Sequence, residues 1–190
     1  FFKQKTAYEI IAGDWSSDVC SSDLTGRLIE IERGKTHAAD RDAIARGGVI
    51  EPQIRKEAIG LVNHHLVKGD ICCIVTATNS FVTRPIAKRF GIDQLIATEP
   101  ETMLLQDKIQ FTGRVHGTPN FKEGKVVHVQ NWLRKLGYDW QSLQESIFYS
   151  DSMNDLPLLQ QVKTPVATNP DERLRAHATS NQWQILDLFA

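Results

Sequence analysis

Short apolar blocks recur along the chain at a steady interval. Ile71 to Val75 is an unbroken apolar run, and blocks of strand formers follow at Ile92 to Thr98, Ser146 to Tyr149, Pro165 to Thr168 and Ile185 to Leu188. A strand that is apolar throughout is buried on both faces, as in a parallel sheet covered by helices. Between these blocks the apolar residues change to helical spacing. Glu51 to Lys68 predicts a helix, with Pro52 suited to its first turn, Ile54, Ala58, Leu61, Val62 and His65 on one face, and Gly69 as its stop. Helices are predicted likewise at Ser80 to Phe90, closed by Gly91, and at Gly124 to Leu136, which carries Val126, Val129, Trp132 and Leu133 and ends at Gly137. Asn154 to Val162 and Asp171 to Ala178 predict two more. Met103 to Val115 alternates loosely and predicts a hairpin turning near Gly113 and Gly117. Strands alternating with helices predict an α/β fold with a mainly parallel sheet.

Composition narrows the class. Lys plus Arg is 22 against 23 Asp plus Glu, a net charge of −1, which argues against a protein that coats nucleic acid. Hydrophobic residues make up 41%, enough for a sizeable core. No apolar run approaches the length of a membrane span. Cys20, Cys72 and Cys73 are an odd count, two of them adjacent in the apolar run, which disfavours a disulfide framework or a structural zinc site. A reducing, cytoplasmic setting is expected.

Residues 1–24 read unlike the rest. They lack the basic start and long apolar stretch of a secretory signal. Lys3 to Ile10 and Asp14 to Leu24 resemble the translation of a sequencing-library adapter. The expectation is a non-native segment over 1–24, with the native N-terminus of the gene product missing. Residues 25–68 then read as the remnant of a helical cap with its connecting helix, and 69–190 as the α/β core.

Ligands of open α/β sheets collect at the carboxyl ends of strands. Two predicted strand ends carry polar clusters: Thr76-Ala77-Thr78-Asn79 and Ser150-Asp151-Ser152-Met153-Asn154-Asp155. Asp151 and Asp155 are four apart, a spacing that turns both carboxylates to one side at a helix start. Paired carboxylates suit Mg²⁺, which takes one or two of them along with water and substrate phosphate. Helix capping explains one such residue, yet this loop has four polar ones. Thr76 taken alone reads as a hydroxyl bonded to its own backbone. Lys125 reads alone as an ordinary helix-start lysine, and Arg84, Arg114, His116 and Asn120 as surface or loop residues. Cys72, Cys73, Trp132 and Trp183 read as core, and His64-His65 as a partly buried helix face.

The ordered combination says more than its parts. A buried strand ending in Thr76, a helix opening at Lys125, and a strand ending in Asp151 followed by Asn154-Asp155-Leu156-Pro157 resembles the haloacid dehalogenase superfamily, and within it the phosphoserine-phosphatase-like subfamily IB. The segments 74–79, 120–125, 148–151 and 165–170 and the tail 187–189 carry the resemblance, which covers roughly residues 50–190. It implies a Rossmann-like parallel sheet with helices on both faces and a truncated helical cap. By that resemblance Thr76 hydrogen-bonds the phosphoryl group, with Thr78 and Asn79 beside it. Lys125 offsets charge on the nucleophile and phosphoryl oxygens. Asp151 binds Mg²⁺, Asp155 binds alongside or orients its water, and Asn154 helps place the phosphoryl group. The implied partner is a small phosphorylated metabolite.

One element of that pattern is absent. The family's nucleophile is the first Asp of an Asp-x-Asp-x-Thr motif ending the central strand, and that motif does not occur in these residues. Asp14 follows an apolar stretch but precedes Trp15 and Ser16, and it takes no role. The first-motif strand is therefore expected to be missing, leaving two unpaired inner edges in an unstable, inactive chain. The implied parent is a Mg²⁺-dependent phosphomonoesterase acting through an aspartyl-phosphate. Histidinol phosphate or a phospholipid headgroup phosphate is an alternative substrate. From another class, the alternative is a non-catalytic α/β domain that binds phosphate or a partner.

Overall fold

The computed structural model describes residues 7–9, 56–105 and 108–188. Its elements in chain order are β1 (Ala7–Glu9), α1 (Lys56–Lys68), β2 (Ile71–Asn79), α2 (Ser80–Arg89), β3 (Gln94–Thr98), β4 (Pro100–Leu105), β5 (Lys108–Val115), α3 (Glu123–Lys135), β6 (Ile147–Ser150), α4 (Leu156–Leu159), β7 (Thr164–Thr168), α5 (Glu172–Ser180) and β8 (Gln184–Leu186). A 3-10 turn, Met153–Asp155, joins β6 to α4. The α/β architecture read from the sequence is the one observed.

Six strands form one sheet in the order β3-β2-β1-β6-β7-β8. Every pairing in it is parallel. Alternation along β2 feeds two cores: Cys73 and Val75 turn to one face, Cys72 and Ile74 to the other. The first face packs on Val129, Trp132 and Leu133 of α3, Leu158 and Leu159 of α4, and Leu174 and Ala178 of α5. The second packs on Val62 of α1 and on Ile86 and Ala87 of α2. Truncating a side chain as enclosed as Leu133 typically costs about 2–5 kcal/mol.

The middle of the sheet departs from expectation. Ala7–Glu9 sits between β2 and β6, where the sequence predicts a vacancy. Ala7, Tyr8 and Glu9 pair with Ile71, Cys72 and Cys73, and Glu9 also pairs with Phe148. Three residues of the segment excluded from the fold thus bridge the inner edges expected to be unpaired. An open slot between two parallel strands exposes a row of unsatisfied N–H and C=O groups, so even a short strand gains by filling it. Asp14 lies outside the described residues, as do 25–50.

Three smaller differences concern the ends of elements. β2 runs on through Asn79, past the strand end expected at Thr76, and its register with β3 shifts between Val75 and Asn79. Gly113 does not turn the hairpin: β4 and β5 pair from Leu105 with Lys108 back to Pro100 with Val115, and Gly113 lies inside β5 at φ +80°, beside a register shift. That is the left-handed geometry a glycine supplies at a bulge. The helix predicted over 154–162 is a 3-10 turn and one helical turn, because Leu156-Pro157 begins the α-helix anew.

Candidate active site

The end of β6 is the chemical centre. Phe148 and Ser150 have no exposure, and the chain then turns through the 3-10 segment to bury Asp155. Both oxygens of Asp155 are engaged. Oδ1 lies 2.5 Å from Lys125 Nζ, and Oδ2 accepts the Ser150 hydroxyl at 2.8 Å. Ser150 Oγ accepts in turn from the Ser152 amide at 3.2 Å, and Ser152 Oγ from the Asn154 amide at 3.3 Å. The ion pair is only 5–7% exposed at either side chain, so each charge depends on the other for stabilisation.

Lys125 reaches this place because of the loop before it. Asn120 is fully buried. Its amide nitrogen Nδ2 donates to the carbonyls of Thr76 at 2.7 Å and Ile96 at 2.9 Å, and its backbone N–H donates to Thr98 Oγ1 at 3.1 Å. Lys122 adopts φ 49°, and Gly124 follows with no room for a side chain, since a Cβ there would lie 2.3 Å from the Pro119 carbonyl oxygen. Only glycine lets the backbone close up so far. Lys125 then falls in the first turn of α3, where the helix dipole disfavours a cation, and Asp155 offsets that cost.

Thr76 sits partly buried near the end of β2, across β1 from Ser150. Its Oγ1 accepts from the Thr78 amide at 3.1 Å, the local bond expected of a strand-end threonine. A hydroxyl that accepts this way keeps its hydrogen to donate, which is what a phosphoryl oxygen requires. Thr78 and Asn79 are partly buried on the same strand end, and Asn154 is exposed on the turn. Asp151 is partly buried at the carboxyl end of β6, and its carbonyl accepts from the Asp171 amide at 2.8 Å.

The structure therefore brings Lys125 and Asp155 together and ties Thr76 to the loop that delivers the lysine. Asp155, which the resemblance places alongside Asp151 on the metal or orienting its water, here has its two oxygens on Lys125 and Ser150. Asp151, at the carboxyl end of the same strand, is a carboxylate of the type that Mg²⁺, a hard cation, takes along with water and phosphate. No cluster of three or more His, Cys, Asp or Glu able to hold a metal occurs among the described residues. The donor chemistry fits Mg²⁺, although the family's first-motif carboxylate is not part of the chain.

Sequence reasoning passed over Asn120, Ser150 and Asp171. Ser150 stood in the polar cluster without a role, and Asn120 was read as a loop residue. The usable signal for Asn120 was its place between Pro119 and Gly124, in a stretch where the backbone must pack closely.

The opposite face of β6 holds a second polar group. His65 Nδ1 lies 3.0 Å from Asp70 Oδ2, and its Nε2 lies 2.9 Å from the Tyr149 hydroxyl. The expectation of a partly buried helix face holds for His65, which is 3% exposed. Burial, and secondarily the Asp70 carboxylate, pushes the Cys72 thiol from its ordinary 9.0 up to about 11. Burial, then the Asp70 and Cys72 charges, raise the Tyr149 phenol.

Comparison with known proteins shows the family. The family model of the haloacid dehalogenase-like hydrolases matches residues 12–160, which include Thr76, Lys125, Asp151 and Asp155. A histidinol-phosphatase of Neisseria meningitidis is 40% identical over 138 residues, covering 73% of this chain and 61% of that protein. A phosphoserine phosphatase of Mycobacterium tuberculosis is 30% identical over 98% of this chain and 58% of its own. The chain thus spans about three fifths of the length of these relatives. A solved structure from Bordetella pertussis, of a protein with unknown function, superposes with a TM-score of 0.78 at 34% identity, over 98% of this chain and 100% of that one. With the match spread over most of its length and its site residues inside it, the chain belongs to the haloacid dehalogenase-like hydrolases.

Proposed function

We propose that the whole protein is a Mg²⁺-dependent phosphomonoester hydrolase of the cytoplasm, acting on a small phosphorylated metabolite. The observation that carries this reading is the buried Lys125–Asp155–Ser150 group beside Asp151, at the sheet edge where β1, β2 and β6 end together. A phosphoryl group there meets the Lys125 ammonium and the Thr76 hydroxyl. Asn154 and the backbone of 76–79 line its approach. Asp155 holds Lys125 in place, and Asp151 would hold Mg²⁺, which when bound would neutralise charge on phosphoryl oxygens. Phosphoryl transfer needs mostly positioning and charge neutralisation, and these residues supply both.

The nucleophile belongs at the carboxyl end of β1, between the strands of Thr76 and Asp151. Without an Asp-x-Asp-x-Thr motif no aspartyl-phosphate forms, and the chain as it stands is inactive. Residues 1–24 are read as foreign on their adapter-like sequence alone. Resequencing the source DNA across the junction before Thr25 tests that reading directly.

Phosphoserine and histidinol phosphate are the two substrates to try, since relatives named for each match this chain. Both are phosphate monoesters of a primary alcohol with a neighbouring ammonium. The test is phosphate release from each, with and without Mg²⁺, by this chain and by the protein with its first motif restored. We expect none from the former and Mg²⁺-dependent turnover from the latter, reduced about a hundredfold or more by Asp151→Asn. Turnover by the unrestored chain sinks the missing-nucleophile reading, and a restored protein inert on phosphomonoesters favours a non-catalytic phosphate-binding domain.

A further inference from the structure

The loop carrying Asp151 is tethered by a residue from the next strand's end. β7 stops at Thr168, the chain passes through Asn169 at φ 43° and the buried Pro170, and Asp171 caps α5. Besides the helical bond that its carbonyl accepts from the Arg175 amide, Asp171 makes three hydrogen bonds in three directions. Its Oδ1 accepts from the Leu174 amide at 2.7 Å, which is the helix cap. Its Oδ2 accepts from the Met153 amide at 3.0 Å. Its backbone N–H donates to the Asp151 carbonyl at 2.8 Å. Two of the three therefore hold the stretch between Asp151 and the 3-10 turn that buries Asp155.

Capping alone does not call for an aspartate, because Asn, Asp and Ser cap about equally well. What separates them is the second oxygen. A carboxylate accepts at both oxygens, whereas asparagine presents an N–H₂ at one and serine has a single oxygen. Here the second oxygen is the one that meets Met153.

We propose that Asp171 is a positioning residue for Asp151: it clamps the β6 turn to the start of α5 and so fixes where the Asp151 carboxylate stands at the sheet edge. In its functional part this rests on Asp151 being the Mg²⁺ carboxylate. The clamp itself rests only on the three bonds. Asp171→Asn and Asp171→Ser keep the cap and lose the second acceptor. Glu172→Gln, at the exposed neighbour, removes the same charge and none of the bonds.

The experiment uses the full chain and two readouts. Peptide-resolved amide exchange is expected to rise about fivefold over 152–155 in both Asp171 variants, with α5 unchanged, and to stay at the parental rate in Glu172→Gln. Mn²⁺ titrated as the bare ion and followed by its spin resonance is expected to bind about tenfold more weakly in the same two variants. Unchanged exchange over 152–155 overturns the clamp, as does loosening of α5 in step with it, which would make Asp171 a cap and nothing else. If one variant does not fold, the other gives the same readout. Should exchange respond while the parent chain binds no Mn²⁺, the clamp stands and the metal reading of Asp151 falls.

Discussion

Tyr149 and Ser150 are neighbours on β6, and they open two different chemistries on the two faces of one sheet. Each hydroxyl meets an acid and a base: Ser150 with Asp155 and Lys125, Tyr149 through His65 with Asp70. The residue types are nearly parallel, and the settings differ. The Ser150 group lies at the carboxyl edge of the sheet, among strand ends and loops. The Tyr149 group is set among Val62, Cys72, Ile74 and Val166 in the second core. In the neutral ring Asp70 can only accept, so Nδ1 carries the hydrogen and Tyr149 donates to Nε2. That arrangement satisfies itself and offers nothing to a ligand. The Lys125 group instead places an ion pair at the carboxyl edge of the sheet, where ligands of open α/β sheets collect. Chemical type alone does not mark a site in this fold; its place along the strand does.

The difference is sharpest in what removing one partner does. Lys125→Met is expected to lower stability by about 3–5 kcal/mol in urea denaturation, because Asp155 is left buried without its countercharge. Lys125→Met with Asp155→Leu should regain much of that loss, since packed apolar residues often replace a buried pair without penalty. A double-variant loss equal to the sum of the Lys125→Met and Asp155→Leu losses would mean that the pair is not coupled. Gly124→Ala ranks next. Its methyl group has to displace the Pro119 carbonyl, at about 1–3 kcal/mol, and it moves Lys125 while leaving the His65 group untouched. Protection of the His65 side from amide exchange should be unchanged; a loss there would show the two faces to be linked.

Tyr149→Phe comes below both, at about 1–3 kcal/mol for a buried Nε2 left without its partner. Ser150→Ala leaves Asp155 Oδ2 short of a donor at a similar cost. Under the metal reading the serine variant alone should disturb Mn²⁺ binding, because only that hydroxyl is bonded to the turn after Asp151, at the Ser152 amide and Asp155. A matching effect from Tyr149→Phe would erase the contrast between the faces.

How much of this could be read beforehand follows the range of the contacts. The parallel sheet was legible because a run such as Ile71 to Val75 is a local pattern. Lys125, Asp151 and Asp155 were legible because a resemblance supplied their order, and Asp155 then proved to hold the lysine. Asn120 was not, since its reasons for burial lie 24 and 44 residues away, at Ile96 and Thr76. Asp171 was legible only as the start of a helix, and its reach to Met153, 18 residues back, was not. Ala7–Glu9 was discounted for its origin, yet the sheet needed a strand there and took one. The hairpin was recognised by its alternation although Leu104 and Ile109 each remain 71% exposed, and its turn was misplaced because Gly113 serves a bulge.

The smallest expected effect concerns the buried face and appears only in alkali. Cys72, pushed up to about 11, and Tyr149, raised with it, both keep their protons longer in the folded chain than in the unfolded one. A group whose folded value is raised contributes stability that is fully present below its unfolded value. That contribution is lost as pH climbs through the folded value. For Cys72 the window runs from its ordinary 9.0 to about 11. The urea midpoint should therefore be level below about pH 8 and fall above about pH 9. Cys72→Ala should flatten the first part of that fall. Asp70→Asn should flatten the fall only in part, because the Asp70 charge contributes to both shifts but stands second to burial in each. If neither variant changes the alkaline slope, the loss arises elsewhere and the second core is less closed than its packing indicates. If both do, the face opposite the site is a dry structural core whose ionisable groups act on stability alone.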